Sequence, residues 1–202
     1  MMKENTLITI TRQYGSGGRE VSEILAKRMG VRRYDRKIVS MAAEEMGHGA
    51  DIESIVASSY ASPETSKPYF QQGGFGRVAD YNRRYLEQAK AILAIAKRGE
   101  GAVFLGRCAD FVLKDCPEHY SFFIYADDAF REERAKSEYD EKTVKELDAV
   151  DEQRRNYYAY YTGRKWGDPQ NYDMMINTSR ISLEEAADLI QSYVEMRQAK
   201  KE

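Results

Sequence analysis

The sequence lacks the features that mark membrane, disulfide-rich, zinc-binding or bulk nucleic-acid-binding proteins. It has two cysteines, Cys108 and Cys116, and two isolated histidines, His48 and His119, which form no metal-ligand pattern and no disulfide framework. No apolar run approaches transmembrane length, and residues 1–4 do not lead into a signal peptide. The net charge of −2 gives no electrostatic basis for binding nucleic acid. We therefore expect a cytoplasmic protein that binds neither membranes nor nucleic acid.

What the sequence does contain is an alternation of short apolar runs and amphipathic stretches within 202 residues, enough for one α/β domain with its own core. Strands are predicted at 7–10, 31–34, 102–105, 120–125 and 172–177. Helices are predicted up to 29 after the first strand, at 35–46, 75–98, after 106, from 127 or 128 to 137, at 141–165 and from 183 onward. This order predicts a parallel sheet with helices on both faces and ligands at the carboxyl ends of the strands.

A glycine-rich loop joins the first strand to the first helix and is the strongest local signal. Gly15, Ser16, Gly17 and Gly18 follow the apolar run directly. Glycines let the backbone turn with its N–H groups facing inward, and the helix N-terminus adds partial positive charge, so the natural ligand is a phosphate-type anion. The alternative interpretation is a simple glycine-rich turn between a strand and a helix.

The loop departs from the P-loop pattern G-x-x-x-x-G-K-[ST], and two registers are open. If Gly17 is the last loop glycine, Gly18 stands at the lysine position and Arg19 at the hydroxyl position. If Gly18 is the last, Arg19 replaces the lysine and Glu20 the hydroxyl. We favour the second register because it keeps a cation, Arg19, beside the phosphates. Ser16 or Glu20 would then help to hold the metal, through water.

Charged residues after the strands and on the helical stretch 141–165 are the other candidates. Arg107 follows a buried strand and either clamps a phosphate or pairs with Asp110; we favour the clamp. Asp35 either caps a helix or lies near the acceptor phosphate. Three more charges share one helical stretch, and they form either solvated salt bridges or a phosphate clamp. They are Asp151, Arg154 and Arg155.

Aromatic residues crowd into the segment 157–166, which includes four tyrosines and the single tryptophan. We expect so many aromatic side chains on a charged helix to be shielded from water. The side chains pack on the core, form a subunit interface or stack on a base, and core or interface packing is the favoured interpretation. A homo-oligomer through this segment is one expectation.

Several strings together resemble the cytidylate kinase-like family, a branch of the P-loop nucleoside monophosphate kinases. The resemblance covers nearly the whole chain from Ile8. It is carried by four stretches: Ile-Thr-Ile-Thr-Arg-Gln-Tyr-Gly-Ser-Gly-Gly-Arg-Glu (8–20), Tyr34-Asp35, Gly-Arg-Cys-Ala-Asp (106–110), and residues 155–168 with their Tyr-Tyr-Thr-Gly-Arg-Lys-Trp-Gly-Asp string.

The resemblance implies a three-layer P-loop kinase fold in a single domain spanning 1–202. A monophosphate-binding insertion would occupy about 47–74 and a helical lid about 141–171, with the core formed by 1–46, 75–140 and 172–202. ATP with Mg²⁺ would bind at the loop from Gly15 to Arg19, with its adenine near the segment after Asn177.

The resemblance also implies roles for individual residues. The Gly106–Arg107 turn is similar to a Gly-Arg-Asp turn that contacts the acceptor nucleotide, with Cys108 in place of the aspartate. The spacing of Asp151 and Arg154 is similar to a lid motif that brings an aspartate to the acceptor and an arginine to the phosphates. The predicted acceptor-binding residues are Asp35, Arg107, Asp110, Asp151 and Arg155, and the predicted catalytic residues are Arg19, Arg107 and Arg154.

The expected activity is ATP-dependent phosphoryl transfer to a nucleoside monophosphate, with CMP or dCMP as the first candidate. The chain departs from the family's cytidylate kinases because it has neither the P-loop lysine nor the hydroxyl that follows it. Two alternatives therefore stay open: a nucleotide-binding protein that has lost catalysis, and a kinase for another small acceptor.

Overall fold

A five-stranded parallel sheet forms the centre of the protein. The computed structural model describes residues 2–35, 75–138 and 143–200. The strands are β1 (Leu7–Arg12), β2 (Arg33–Tyr34), β3 (Ala102–Leu105), β4 (His119–Tyr125) and β5 (Met174–Asn177). They lie in the order β2-β3-β1-β4-β5, and every pair is parallel. The carboxyl end of β1 is therefore central, between the ends of β3 and β4.

Helices cover both faces of this sheet. They are α1 (Gly18–Met29), α2 (Phe75–Lys97), α3 (Ala109–Val112), α4 (Asp128–Glu138), α5 (Val144–Thr162) and α6 (Leu183–Ala199), with a 3₁₀ turn at Pro169–Asn171. The N-termini of α5 and α6 are fixed by capping boxes at Thr143 and Ser182, which satisfy helix N–H groups that would otherwise lack acceptors.

The two faces of β1 pack into two separate hydrophobic cores. Ile8 and Ile10 are fully buried against α1 and α6. Leu7 points the other way and packs with Ile92 of α2 and Phe104 of β3. Alternation along a strand sends neighbouring side chains to opposite faces. The result is helix, sheet, helix, which confirms the predicted three-layer α/β fold.

The predicted strands and helices are confirmed wherever the structure describes the chain. Their ends differ from the predicted ones by up to three residues. The apolar spacing of residues 75–98 predicts that Leu86 and Leu93 lie on the buried stripe of this helix; this prediction is wrong, because their exposed fractions in α2 are 57% and 39%. The buried stripe instead contains Ala91 and Ile95 beside Ile92, so the helix is rotated relative to the expectation. The predicted helix at 35–46, apart from Asp35, and the predicted insertion at 47–74 lie outside the described residues.

None of the helices in the described part of the chain is both long and apolar enough to cross a bilayer.

Candidate functional site

The glycine loop lies at the carboxyl end of β1 and leads straight into α1. Residues 15–18 are buried, and Gly15 and Gly17 adopt φ angles of +82° and +78°, a region that residues with a Cβ seldom occupy. Gly17 is the N-cap of α1. A Cβ on Gly17 would lie 2.5 Å from Leu183 Cδ2. The backbone conformation at this position therefore favours glycine strongly, and an added Cβ would also displace the end of the Leu183 side chain.

The loop presents unused backbone donors. Within the described residues, no acceptor receives a hydrogen bond from the backbone N–H of Gly15, Gly17, Gly18 or Arg19. These groups lie together at a helix N-terminus, where the helix dipole is positive. Such a set of N–H groups is a binding site for an anion of the phosphate type.

Contacts from neighbouring strand ends hold the loop in place. Gln13 Oε1 accepts from the Ala126 N–H at 3.1 Å, beyond the end of β4. Thr178 Oγ1 donates to the Ser16 carbonyl at 2.7 Å, beyond the end of β5. Ser16 Oγ lies 2.9 Å from the Gln13 carbonyl oxygen, to which it donates. The loop is thus preorganised by the sheet before any ligand binds.

Asp151 of α5 anchors the loop from the opposite side. Its Oδ1 and Oδ2 accept from the Tyr14 N–H at 2.9 and 3.1 Å. Arg131 of α4 donates to Asp151 Oδ2 at 3.0 Å and to the Tyr14 carbonyl at 2.9 Å. Asp151 has an exposed fraction of 0% and Arg131 of 2%. Burial raises the pKa of Asp151, while Arg154, the Tyr14 N–H and Arg131 act to lower it.

Arg154 projects from α5 to the base of the same loop. Its Nη1 donates to the Arg12 carbonyl at 2.9 Å and to Asp151 Oδ1 at 3.0 Å, and its guanidinium lies 5.2 Å from the centre of the Tyr14 ring. The Nε of Arg154 is buried and has no hydrogen-bond acceptor among the described residues. An unsatisfied buried donor at this place fits an incoming phosphate oxygen.

The carboxyl end of β3 carries a strained turn. Gly106, Arg107 and Cys108 have φ angles of +70°, +64° and +54°. Positive φ at a residue with a Cβ costs roughly 1–3 kcal/mol and is concentrated at functional sites. Gln88 Nε2 of α2 donates to the Arg107 carbonyl at 2.8 Å and supports the turn. The backbone conformation thus turns the chain sharply at Arg107, directly beside the end of β1.

Asp110 lies one turn further along, beneath the aromatic residues of α5. Its Oδ2 accepts from Tyr158 Oη at 2.6 Å, and its Oδ1 is buried without a hydrogen-bond donor. Burial, the dominant cause, raises the pKa of this carboxyl. Burial also raises the pKa of Tyr158. Asp110 is therefore coupled to α5 through a tyrosine.

Several of the predicted site residues contact other groups in this structure. Arg19 lies on the outer face of α1, with a side chain 62% exposed and 3.4 Å from Glu23, because its helical position turns it away from the loop. The helix begins at Gly18 after the N-cap Gly17, so the first register fits and Gly18 stands where the lysine would be. In this structure the Arg19 side chain is therefore not beside the loop, and its catalytic role stays a prediction.

The predicted metal-holding side chains are engaged elsewhere. Ser16 is fully buried and its hydroxyl bonds to main-chain carbonyls of residues 13 and 124. Glu20 pairs with Arg134 of α4 at 3.0 Å. The phosphate groups of ATP fit the free N–H groups, but these two side chains do not fit Mg²⁺. A magnesium ion would be held by donor phosphates and water, a coordination that this metal favours.

Three predicted acceptor-binding residues have other partners. The Asp151 carboxylate accepts hydrogen bonds from the Tyr14 N–H, Arg131 and Arg154, and its contact with the acceptor stays a prediction. Arg155 pairs with Glu152 at 2.5 Å and its guanidinium lies 5.7 Å from the Trp166 ring centre, on the partly exposed side of α5. Asp35 follows β2 and pairs with Arg33 at 3.2 Å, at the edge of the sheet, where its role stays a prediction.

The aromatic segment packs on the protein itself. Tyr158 and Trp166 are buried in a cluster with Phe123 of β4, and the Trp166 and Phe123 ring centres are 4.9 Å apart. Tyr161 stacks on Tyr85 of α2 at 4.1 Å. This confirms the core-packing interpretation for these side chains and fastens α5 over the sheet. The homo-oligomer stays a prediction.

Two arginines of the site were missed by the sequence analysis. Arg12 ends β1 and reaches over Gly106, since a Cβ on that glycine would lie 2.5 Å from Arg12 Nη1. The strand-end rule that selected Arg107 would have selected Arg12 as well. Arg131 gave no such signal, because nothing in a polar helix marks the arginine that becomes buried.

Comparisons with known proteins agree with this geometry. A model of the cytidylate kinase-like family matches residues 7–180, and no protein of curated function matches the sequence. Among solved structures, an uncharacterized protein from Eubacterium ventriosum is 25% identical with a TM-score of 0.70, over 94% of this chain and 98% of that one.

Two kinases share the fold at lower identity. A shikimate kinase from Acinetobacter baumannii, in complex with shikimate, is 13% identical with a TM-score of 0.53, over 95% of this chain and 94% of its own. A gluconokinase from Sinorhizobium meliloti is 12% identical with a TM-score of 0.53, over 99% of both chains. The parallel sheet, the glycine loop at its centre and the match over most of the sequence give one conclusion: the chain is a member of the cytidylate kinase-like family and has the fold of P-loop kinases.

Proposed function

We propose that the protein transfers the γ-phosphoryl group of ATP to a small phosphorylated acceptor, with CMP or dCMP as the first candidate. The observation that carries the proposal is the preorganised loop of free N–H groups at Gly15, Gly17, Gly18 and Arg19, beside the Arg154 guanidinium. Family membership supports a kinase-like phosphotransferase, and CMP follows only from the resemblance of the sequence motifs.

The residues would act mainly by placing charge. An oxygen of the acceptor phosphate attacks the γ-phosphorus, the bond to the β–γ bridging oxygen breaks, and ADP leaves. Because the attacking oxygen is already anionic, no general base is required. The loop N–H groups would bind the donor phosphates, while Arg154 and Arg107 neutralise negative charge on the transferred group. Magnesium would neutralise donor oxygens when bound.

Water exclusion would come from α5. The helix is fixed to the loop through Asp151 and to the sheet through Tyr158 and its aromatic neighbours. This fixation supports a covered site in which electrostatic interactions are strong. Asp110, reached by Tyr158, would help to position the acceptor at the end of β3.

A coupled assay of ADP formation with ATP, Mg²⁺ and a panel of acceptors tests the proposal. The panel contains CMP, dCMP, UMP, AMP and GMP, with shikimate and gluconate as acceptors that lack a phosphate. We expect ADP formation that depends on a pyrimidine monophosphate, and a loss of about 100-fold or more in kcat/KM for Arg107→Ala. Arg197→Ala, a partly exposed arginine on α6, is the matched control.

The second candidate function is nucleotide binding without turnover. It is favoured by one observation: Gly18 and Arg19 stand at the lysine and hydroxyl positions, and Arg19 faces solvent. Saturable ATP binding with no ADP formation from any acceptor would support this function instead of the kinase. ADP formation with shikimate or gluconate alone would support a kinase for a different small acceptor.

A further inference from the structure

We propose that Arg12 replaces the missing P-loop lysine and binds the terminal phosphates of the donor nucleotide. This inference rests on the proposed function, because it names the cation of the same phosphate site. In the register that the structure fits, Arg12 stands at the first glycine of G-x-x-x-x-G-K and Gly18 at the lysine. The arginine at position 12 and the glycine at position 18 are neighbours in space. One exchange explains both: the cation has moved from position 18 to position 12, and the glycine from position 12 to position 18.

Arg12 and a side chain at position 18 would overlap. A Cβ built on Gly18 would lie 2.6 Å from Arg12 Cβ and 3.0 Å from Arg12 Cγ. Non-bonded carbon atoms pack at about 3.5–4.0 Å. The stem of Arg12 therefore occupies the space through which any side chain at position 18 would leave the backbone. An arginine at 12 and a lysine at 18 exclude each other in this conformation.

The Arg12 side chain ends above the turn that follows β3. A Cβ on Gly106 would lie 2.5 Å from Arg12 Nη1 and 3.7 Å from Arg12 Cζ. The guanidinium therefore covers Gly106, at the start of the strained turn that carries Arg107. Because β3 and β1 are neighbours in the sheet, this charge lies between the glycine loop and the end of β3. That is the region between donor and acceptor in the proposed reaction.

Arg12 is also coupled to α5. Its carbonyl oxygen accepts the hydrogen bond from Arg154 Nη1. Alternation along β1 places Arg12 on the same face as Ile8 and Ile10, which is the face that α1 covers. Arg12 and Arg154 therefore approach the loop together, one from the sheet and one from α5.

The chemistry suits this position. A guanidinium stays charged at all relevant pH values and offers a planar fork to two phosphate oxygens. A lysine would offer a single ammonium from the helix. Arg12 comes instead from the end of the central strand β1, whose other residues are buried, so the start of its side chain is fixed by the sheet.

The test compares binding of ATP and ADP by isothermal titration calorimetry, without any acceptor. Arg12→Ala is expected to weaken ATP binding about 10-fold or more, the size of a lost charge-assisted hydrogen bond, and to weaken ADP binding less. A purely structural role would weaken both equally. Arg12→Lys, which keeps the stem and a charge, is expected to fall between wild type and Arg12→Ala.

A reciprocal exchange makes the test sharper. Gly18→Lys alone is expected to lose ATP binding, because the new stem collides with Arg12. The double variant Arg12→Gly with Gly18→Lys rebuilds the usual order of glycine and lysine and is expected to recover ATP binding relative to both Gly18→Lys and Arg12→Gly. Thermal unfolding of every variant identifies those that fail to fold.

The outcomes separate this inference from the proposed function. If the wild type binds ATP and Arg12→Ala binds ATP and ADP in the same ratio, the Arg12 inference is overturned while the kinase proposal stands. If the double variant binds ATP no better than the singles, the exchange is wrong. If the wild type does not bind ATP, both proposals fail.

Discussion

Asp151 gives the sharpest prediction about how the loop is held. The variant Asp151→Asn keeps the size of the side chain but removes the charge that faces Arg131 and Arg154. Breaking a buried ion pair costs about 3–5 kcal/mol because the remaining charge is left uncompensated. Arg131 keeps Asp148 at 2.9 Å and Asp128 at 3.1 Å, so we expect the lower end, about 3 kcal/mol.

The assay is equilibrium unfolding in urea, with thermal unfolding as a second measurement. For a chain of this length a loss of about 3 kcal/mol lowers Tm by roughly 6–12 °C. The matched control is Glu152→Gln on the next position of α5. Its ion pair with Arg155 joins side chains that are 54% and 43% exposed, so the control should change stability by at most about 0.5 kcal/mol.

A loss of unfolding free energy below about 1 kcal/mol for Asp151→Asn would refute the reasoning. The buried carboxylate and its three donors would then contribute little to holding the loop. A second readout is ATP binding, which should weaken because the Tyr14 N–H loses an ionised acceptor. Unchanged ATP affinity together with a large loss of stability would mean that Asp151 supports the fold but not the loop.

Two further predictions concern the loop and the sheet. Gly17→Ala should weaken the affinity for ATP by about tenfold or more, because the alanine combines a positive φ with a contact against Leu183. Gly163→Ala is the control, because Gly163 has a φ of +66° and nothing lies within 4 Å of the added carbon. This control tests the cost of the positive φ alone and should keep ATP binding. His119 has a pKa lowered to about 4 by burial, against an opposing effect of Asp173, and its Nε2 lies 2.8 Å from Thr9 Oγ1. The unfolded chain then binds more protons between about pH 4 and the ordinary histidine pKa of about 6.5, so stability falls as pH falls through this window. The wild-type protein should therefore lose more unfolding free energy than His119→Gln when the pH is lowered from about 7.5 to about 5, by up to about 2 kcal/mol. The same pH dependence in both proteins would contradict a lowered pKa of His119.

The fold could be predicted from the sequence because each element carries its own signal. Val103 and Phe104 lie in an unbroken apolar run, which marks a strand buried on both faces, and Ser182 with Glu185 marks the start of α6. The order of strands and helices then leaves few topologies. The rotation of α2 was missed because exposed leucines at helical spacing resemble a buried stripe.

The site was only partly predictable. The glycines and Arg107 follow strands, so the rule about strand ends finds them. Asp151 was assigned to the acceptor because short-range spacing shows which residues share a helix face but not what that face contacts. Its partners, Arg131 and the Tyr14 N–H, are distant in sequence. The role of Arg19 depended on the register of the loop, which only the position of the helix N-cap decides.

The most direct test of the central claim is a two-dimensional ¹H–¹⁵N spectrum of the ¹⁵N-glycine-labelled protein during titration with ATP. We expect saturable shifts of the Gly15, Gly17 and Gly18 amide signals, since their N–H groups would then donate to phosphate oxygens. Gly30 and Gly99, at helix ends remote from the loop, should stay unchanged. Unmoved signals of the three loop glycines at saturating ATP would contradict the account.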